Sequence, residues 1–238
     1  RGRPRRRLLA AGEAGELIPE CRNIDARRPG PHGDERRVCG HRAAARWLED
    51  RKLRIDDAGE RDQLDFTAFA AERYFTIVGD AIRKHDPNHL YLGSRLNGRN
   101  INDGTLRGSR PVDVVSINMY HRWSLAREEM DRWASLSGRP ILNSEWYAMH
   151  LASENVATSG AGFRVRSQRD RGLFYQNLCL DMLGNSSCVG WHWFKYGGDG
   201  TEDSRGFVDG AFEPHVDMTE LMRTLNAQAY PLGAFLRP

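Results

Sequence analysis

Apolar residues recur at two different spacings along residues 62–238, and the two spacings predict different secondary structures. Between residues 64 and 86 the apolar side chains return every three or four positions, as on one face of a helix, and Pro87 ends that helix. Short β-branched and aliphatic runs predict strands instead. The predicted order is helix 64–86, strand 89–92, a polar stretch rich in Gly and Asn at 93–110, strand 112–119, helix 125–138, strand 140–144, helix 170–184, strand 188–194 and a final helix near 216–228.

Two of the predicted strands, 112–119 and 140–144, are almost continuously apolar. Such strands are typical of sheets that helices cover on both faces, and the alternation of strands with helices favours parallel β/α units. The fold class is therefore α/β, built as a (β/α)₈ barrel or as an open doubly wound sheet. A Gly-rich phosphate-binding fingerprint follows none of these strands, which argues against a nucleotide site.

Each predicted strand ends in a cluster of polar and aromatic residues. Because the carboxyl ends of parallel strands meet at one edge of a sheet, these clusters are predicted to build one site. The clusters are Ser94 and Arg95; Asn118, Tyr120 and His121; Glu145, Trp146 and Tyr147; and Trp193, Lys195 and Tyr196.

Glu145 is the candidate for chemistry among these residues. Side chains two positions apart in a strand share a face. The pairs predicted to share a face are Asn143 with Glu145, Asn118 with Tyr120, and Trp191 with Trp193. If all these faces turn inward, one carboxylate meets an amide, a phenol and indole rings, and that set suits a sugar ring with apolar C–H faces and polar hydroxyls. The blander interpretation is a solvated strand-end acid beside aromatic residues that only fill the core.

Residues 1–61 differ from the rest of the chain in pattern and charge. They hold 16 Lys and Arg against 11 Asp and Glu, whereas residues 62–238 hold 19 against 21. They contain one aromatic residue, Trp47, and no convincing strand pattern, although 41–53 is compatible with a helix. The sequence therefore predicts an irregular, basic, Arg-rich N-terminal segment at 1–61 ahead of the region 62–238. The stretch RGRPRRR could bind nucleic acid, but a disordered tail is the favoured interpretation, and no nucleic-acid partner is expected.

Other features disfavour further classes of function. No apolar run approaches the roughly 18 residues of a membrane helix, so no membrane partner is expected. No signal peptide is recognisable. The four cysteines form no C-x-x-C pair and stand beside no histidine pair at metal-ligand spacing, which argues against a structural zinc site. Cys179 and Cys188 are expected to pack as small apolar residues.

Five stretches of the chain resemble the C-terminal half of clan A glycoside hydrolases, with the closest likeness to the β-agarase and β-galactosidase-like members. The resemblance covers about residues 62–215. It implies strands five to eight, with their helices, of a partial (β/α)₈ TIM barrel, and a mechanism that retains anomeric configuration. The stretches are YFTIVGDAIRKHDPNHLYLGSR, VDVVSINMYHRW, RPILNSEWYA, RDRGLFYQN and VGWHWFKY.

The resemblance also implies roles for individual residues. In that clan the nucleophile is a Glu at the end of strand seven, and the motif ILNSE places it at Glu145. Asn118 and Tyr120 would orient this nucleophile. An oligo- or polysaccharide substrate and no cofactor are implied. The expected substrate-binding residues are Arg95, Asn118, Tyr120, His121, Trp146, Trp191 and Trp193.

One element of the clan's machinery is not recognisable. The acid/base carboxylate usually stands in an Asn-Glu pair at the end of strand four, and no such pair occurs before residue 89. A truncated chain, with residues 1–61 as a remnant or non-native sequence, is the resulting expectation. Three hypotheses stay open: a retaining β-glycosidase of agarase type acting on galactose-containing polysaccharide, a non-catalytic carbohydrate-binding remnant, and, less favoured, a basic nucleic-acid-binding protein. A secreted or periplasmic location would suit the intact parent enzyme.

Overall fold

The computed structural model describes residues 32–150, 161–197 and 205–237, with side chains from residue 40 onward. Secondary structure in this part of the chain is mixed α/β. The helices are α1 (His32–Asp50), α2 (Glu60–His85), α3 (Asp103–Gly108), α4 (Arg127–Ser137), α5 (Gln168–Leu183), α6 (Val216–Asn226) and α7 (Ala229–Leu236). The strands are β1 (Val115–Asn118), β2 (Ile141–Trp146), β3 (Ala148–His150), β4 (Phe163–Val165) and β5 (Cys188–Trp193).

The chain divides into two compact units, which are described separately. Of the described residues, the first contains those up to 93 together with 99–113 and 136–138. The second contains 94–98, 114–135 and the described residues from 139 onward. All the strands of the described chain belong to the second unit, so that unit carries the predicted site.

Helix α2 of the first unit confirms the longest helix predicted from the sequence. It begins after Gly59, whose backbone N–H donates to the Asp62 carboxylate over 2.8 Å, and it ends just before Pro87. Acidic residues in the first turn and basic residues in the last turn complement the helix dipole. On its buried side Phe66 packs edge-on against Trp47 of α1, with ring centroids 5.6 Å apart.

Helix α1 corrects the prediction of an irregular segment at 1–61. Residues 32–50 are helical, and Trp47 and Leu48 are buried in a small core with Phe66. The pattern at 41–53 had indicated a helix only for the second half of α1, and burial of these apolar side chains against α2 stabilises the helix as a whole. The prediction for residues 1–31 falls outside the described residues.

Within the described residues, β1, β2 and β5 form a three-stranded parallel sheet in that order. Ile141 at the start of β2 pairs with Val115 on one side and with Cys188 on the other, and all three side chains are buried. This confirms the predicted parallel neighbours at 112–119, 140–144 and 188–194. Since β2 is central, its carboxyl end is flanked by the ends of both neighbouring strands.

The predicted strand at 89–92 is wrong. Tyr91 N–H donates to the side-chain carboxylate of Asp113 over 2.7 Å, where a regular ladder would use a main-chain carbonyl. Strand-like pairing occurs instead at Leu96, which forms an isolated parallel bridge with Ile117. Leu96 N–H donates to Ser116 O over 2.9 Å, and Asn118 N–H donates to Leu96 O over 2.8 Å. A short extended segment therefore runs beside β1, a few residues later than predicted.

Helix α5 covers one face of the sheet. It begins at Ser167, whose Oγ accepts a hydrogen bond from Asp170 N–H over 3.0 Å. Its buried side chains include Phe174, Tyr175 and Met182. Asn143 Nδ2 of β2 donates to Met182 Sδ at 3.5 Å, so this side of β2 faces α5.

Helix α7 is missing from the sequence prediction, which places the last helix near 216–228. Its residues, AYPLGAFL, are apolar almost throughout, so no polar face marks a helical period, and Pro231 is tolerated because it stands in the first turn. After α7, Arg237 donates hydrogen bonds to the carbonyls of Leu183, Met182 and Cys188. No helix of the described residues is both long and apolar enough to cross a membrane.

Candidate active site

Glu145 lies at the carboxyl end of β2, the central strand of the sheet. Its side chain is 14% exposed, and Oε2 accepts a charge-assisted hydrogen bond from Arg95 Nη1 at 2.7 Å. Arg95 lies within reach of Glu145 because the next residue, Leu96, is hydrogen-bonded to β1 through both its N–H and its carbonyl oxygen. This hydrogen bond orients the carboxylate through Oε2, and no side chain of the described residues is hydrogen-bonded to the other oxygen, Oε1.

A bulge in β2 sets the direction of the Glu145 side chain. Asn143 pairs with Ile117, but the next pair is Glu145 with Asn118, so Ser144 is an extra residue in the strand. Ser144 Oγ donates to Asn118 Oδ1 over 2.9 Å. The predicted sharing of one face by Asn143 and Glu145 is wrong, because the extra residue breaks the alternation: Asn143 contacts α5, whereas Glu145 pairs with Arg95.

Three aromatic rings meet just after Glu145. The Tyr147 ring lies edge-on to Tyr120, with centroids 5.8 Å apart, and 5.4 Å from the ring of Phe194. Phe194 N–H donates to Trp146 O over 2.9 Å, which brings the end of β5 alongside the end of β2. The sequence prediction missed Phe194. The alternation of strand β5 could have indicated it, since Phe194 must face away from Trp193.

The sequence predicted that Trp146, Trp191 and Trp193 line the site, and their positions in the structure differ from that prediction. Trp146 is fully buried, with its ring stacked on Tyr175 at 5.4 Å and edge-on to Trp193 at 5.1 Å. Trp193 also contacts Phe174 of α5. Trp191 Nε1 donates to the Tyr175 hydroxyl over 2.9 Å. All three indoles therefore lie on the α5 side of the sheet, Trp146 fully buried and Trp191 and Trp193 half-buried.

The Tyr175 hydroxyl completes this buried aromatic core. It accepts from Trp191 and donates to Asn226 Oδ1 of α6 over 2.8 Å. Burial raises the pKa of Tyr175 well above that of an exposed tyrosine, so the hydroxyl stays protonated and acts as a donor. This hydrogen-bond network connects α5, α6 and β5.

The other predicted site residues lie at or just after the carboxyl end of β1: Asn118, Tyr120 and His121. Asn118 pairs with Glu145 in the sheet register and accepts from Ser144. Tyr120 follows β1 and contributes its ring to the cluster with Tyr147. His121 is exposed and has φ +58°, a left-handed conformation that turns the chain away from the strand. The donor that contacts the Glu145 carboxylate is Arg95 rather than Tyr120.

Arg171 of α5 donates hydrogen bonds to two other segments of the chain, one after β2 and one after β5. Its side chain is fully buried, with Nε donating to Ala148 O over 2.9 Å. Its Nη2 donates to the carbonyls of Arg205 and Gly206 over 2.6 and 3.0 Å. Its guanidinium also lies 5.6 Å from the ring of Trp193. One side chain thus connects α5, the strand after Tyr147 and the loop after β5.

The thiols of Cys179 and Cys188 are buried, as predicted, and burial raises the pKa of both. We expect iodoacetamide to leave both cysteines unmodified in the folded chain and to alkylate both after unfolding in urea, as read by mass spectrometry of the two peptides. Alkylation of either one at neutral pH before unfolding would contradict this placement.

Within the described residues no group of three or more His, Cys, Asp or Glu side chains is arranged to hold a metal ion.

No protein-family model matches the chain. The chain is 28% identical over 203 residues to β-agarase B of Vibrio sp. (strain JT0107), a match that covers 79% of this chain and 21% of that protein. It is 30% identical over 188 residues to β-agarase A of the same organism, which covers 73% of this chain and 18% of that protein. The chain therefore spans about a fifth of the length of the curated relatives it matches.

Solved structures give a matching result. BpGH50 superposes with a TM-score of 0.78 at 32% sequence identity, over 84% of this chain and 45% of that chain. An exo-β-agarase superposes with a TM-score of 0.65 at 27% identity, over 73% of this chain and 24% of that chain. The chain is similar to β-agarases and to GH50 structures. These relatives support a glycoside hydrolase family for the chain.

Proposed function

We propose that this chain belongs to a retaining β-glycosidase of agarase type, with Glu145 as the nucleophile, that acts on galactose-containing polysaccharide. The observation that carries the proposal is the Glu145 carboxylate at the carboxyl end of the central parallel strand, held at one oxygen by Arg95. The similarity to β-agarases favours an agar-type substrate over other polysaccharides. In this proposal the Leu96 segment, β1, β2 and β5 are strands five to eight of a (β/α)₈ barrel.

The proposed chemistry begins with attack of Glu145 on the anomeric carbon. A bond forms between a carboxylate oxygen and that carbon while the glycosidic C–O bond breaks, and the departing oxygen takes a proton from an acid. Water then hydrolyses the glycosyl ester, which restores the carboxylate and retains the configuration. Since Arg95 engages Oε2, we assign the attack to Oε1.

The other side chains at this edge have supporting roles in the proposal. Asn118 and Ser144, hydrogen-bonded to each other opposite Glu145, hold the bulge that aims the nucleophile. The half-buried rings of Tyr120 and Phe194, both packed against the buried ring of Tyr147, form the apolar side of the site, where the C–H face of a sugar can pack. His121 is exposed near Tyr120 and is proposed to contact sugar hydroxyls.

The proton donor is the part of the machinery that the sequence motifs do not identify. A retaining enzyme places its second carboxyl group about 5–5.5 Å from the nucleophile. Because no Asn-Glu pair precedes residue 89, a carbohydrate-binding protein that uses the same site without turnover is the second candidate. A substrate that needs no proton donor separates the two, because only a working nucleophile reacts with it.

Covalent trapping with 2,4-dinitrophenyl 2-deoxy-2-fluoro-β-galactoside tests the proposal. Dinitrophenolate leaves without protonation, and the fluorine slows hydrolysis of the ester, so the glycosyl-enzyme accumulates. We expect one added fluorogalactosyl mass, located by peptide mass spectrometry on Glu145, and no label on the Glu145→Gln variant. Binding of agaro-oligosaccharides without any label would favour the carbohydrate-binding candidate, and label on another residue would refute the assignment of Glu145.

A further inference from the structure

Arg95 contacts the carboxylate whose charge changes during the proposed reaction. Its Nη1 donates to Glu145 Oε2 at 2.7 Å, a distance typical of a charge-assisted hydrogen bond. The Glu145 side chain is only 14% exposed, whereas that of Arg95 is 58% exposed. The carboxylate is therefore largely shielded from water, and within the described residues Arg95 supplies its side-chain hydrogen bond.

The main chain on both sides of this ion pair is fixed to strand β1. Leu96, the residue after Arg95, accepts from Asn118 N–H and donates to Ser116 O. On the other side, Met119 N–H donates to Glu145 O over 2.9 Å, and Glu145 pairs with Asn118 in the sheet register. The donor is therefore in place before the charge on Glu145 changes, and a preorganised donor of this kind costs no reorganisation during a reaction.

The strength of this hydrogen bond differs between the two forms that Glu145 takes in the proposed reaction. Before the reaction Oε2 belongs to a charged carboxylate. In a glycosyl ester formed through Oε1, Oε2 is a neutral carbonyl oxygen. A hydrogen bond between two charged groups is stronger than one from a charged donor to a neutral acceptor. Arg95 therefore stabilises the free carboxylate of Glu145 more than it stabilises the ester.

We propose that Arg95 accelerates the second step of the reaction, in which the glycosyl ester is hydrolysed, by stabilising the carboxylate that departs. The proposal rests on the proposed function, since it concerns the same carboxylate. In that step water attacks the anomeric carbon, and the bond between this carbon and Oε1 breaks. Its electron pair returns to the carboxylate, and a proton from the water passes to solvent.

The two steps of the reaction change the charge on Glu145 in opposite directions. In the second step negative charge grows on the carboxylate as the ester bond breaks, so the hydrogen bond from Arg95 strengthens toward the transition state and lowers the barrier. In the first step the carboxylate loses charge, so Arg95 orients the nucleophile but gives the attack no electrostatic assistance. Loss of Arg95 should therefore slow the second step more than the first.

The fluorogalactosyl ester of the full chain allows the two steps to be measured separately. The rate of labelling by 2,4-dinitrophenyl 2-deoxy-2-fluoro-β-galactoside reports on the first step. After excess reagent is removed, sodium azide is added, and the loss of label from Glu145, followed by mass spectrometry, reports on the second step. Azide attacks without giving up a proton, so the unidentified acid/base group does not enter this rate. We expect Arg95→Met to slow the release by roughly tenfold to a hundredfold and to change the rate of labelling far less.

Two further variants accompany Arg95→Met. Arg95→Lys keeps the positive charge without the planar array of donors, so it should recover part of the lost rate of release. Arg169→Met is the matched control, since it removes an exposed arginine on α5 in the same compact unit, and it should leave both rates unchanged.

Three results would contradict this role of Arg95. Release from Arg95→Met at the rate of the unsubstituted chain would overturn it, while label on Glu145 would still support the proposed function. Slowing of labelling and release by the same factor would also overturn it, because a loss of orientation alone affects both steps. Absence of label from Glu145 in the unsubstituted chain would refute the nucleophile and this proposal together. If Arg95→Met does not fold by circular dichroism, Arg95→Gln decides by the same comparison of the two rates.

Discussion

Replacement of Glu145 with glutamine is expected to reduce the release of dinitrophenolate from 2,4-dinitrophenyl β-galactoside by roughly three orders of magnitude or more. The amide keeps the shape of the carboxylate and its place at the end of β2, but it lacks the nucleophilic oxygen. Binding of agaro-oligosaccharides should persist, because the rings of Tyr120 and Phe194, on which the sugar is proposed to pack, are untouched. Initial rates and calorimetric titration of the same preparations measure the two effects.

The choice of substrate separates the nucleophile from the unidentified proton donor. Dinitrophenolate needs no proton to leave, so the release of its first equivalent per chain, which accompanies formation of the glycosyl ester, reports on attack by Glu145 without the acid. Glu128→Gln is the matched control, since Glu128 is an exposed carboxylate on α4 in the same compact unit as Glu145. Near-full activity of Glu145→Gln, with Glu128→Gln also active, would show that another group performs the attack.

Replacement of Arg171 with methionine is expected to destabilise the fold by roughly 3–5 kcal/mol. Methionine fills much of the volume of the arginine side chain but donates no hydrogen bond. The carbonyls of Ala148, Arg205 and Gly206 then lose their charged partner in a buried place, and each such loss costs about 1–3 kcal/mol. Urea unfolding followed by circular dichroism measures the change in the free energy of unfolding.

Two further variants test whether the loss of stability comes from the hydrogen bonds that Arg171 donates. Arg169→Met changes an exposed arginine two positions away on the same helix, and it should alter the free energy of unfolding little. Arg171→Lys keeps the positive charge but cannot reproduce the planar array of donors, so it should recover only part of the stability. Equal stability of Arg171→Met and the unsubstituted chain would mean that these carbonyls find other donors.

Several elements followed from local pattern alone. The helix around residues 64–86 has apolar side chains at helical spacing, dipole-matched ends and a proline stop, and α2 occupies Glu60–His85. The strands near 115 and 141 are dense in β-branched and aliphatic residues, the strand near 188 is apolar through Val189 and two tryptophans, and all three are parallel neighbours in the predicted order. The start of α1 and all of α7 lacked such a pattern. Burial of Trp47 and Leu48 stabilises α1, whereas α7 buries none of its residues and is followed by Arg237, which donates to Leu183 O.

The candidate site, like the fold, could be predicted only in part from local sequence. From its position at the end of an apolar run, the sequence by itself determined that Glu145 stands at a strand end, and it determined that aromatic residues follow it. Only the tertiary structure decided which residues surround that carboxylate. The bulge at Ser144, the approach of Arg95 across 50 positions of sequence and the packing of Trp146, Trp191 and Trp193 on the α5 side all depend on register and contacts between segments distant in the chain. Strand alternation predicts facing only while the ladder is regular, and one extra residue in β2 reverses it for every side chain that follows.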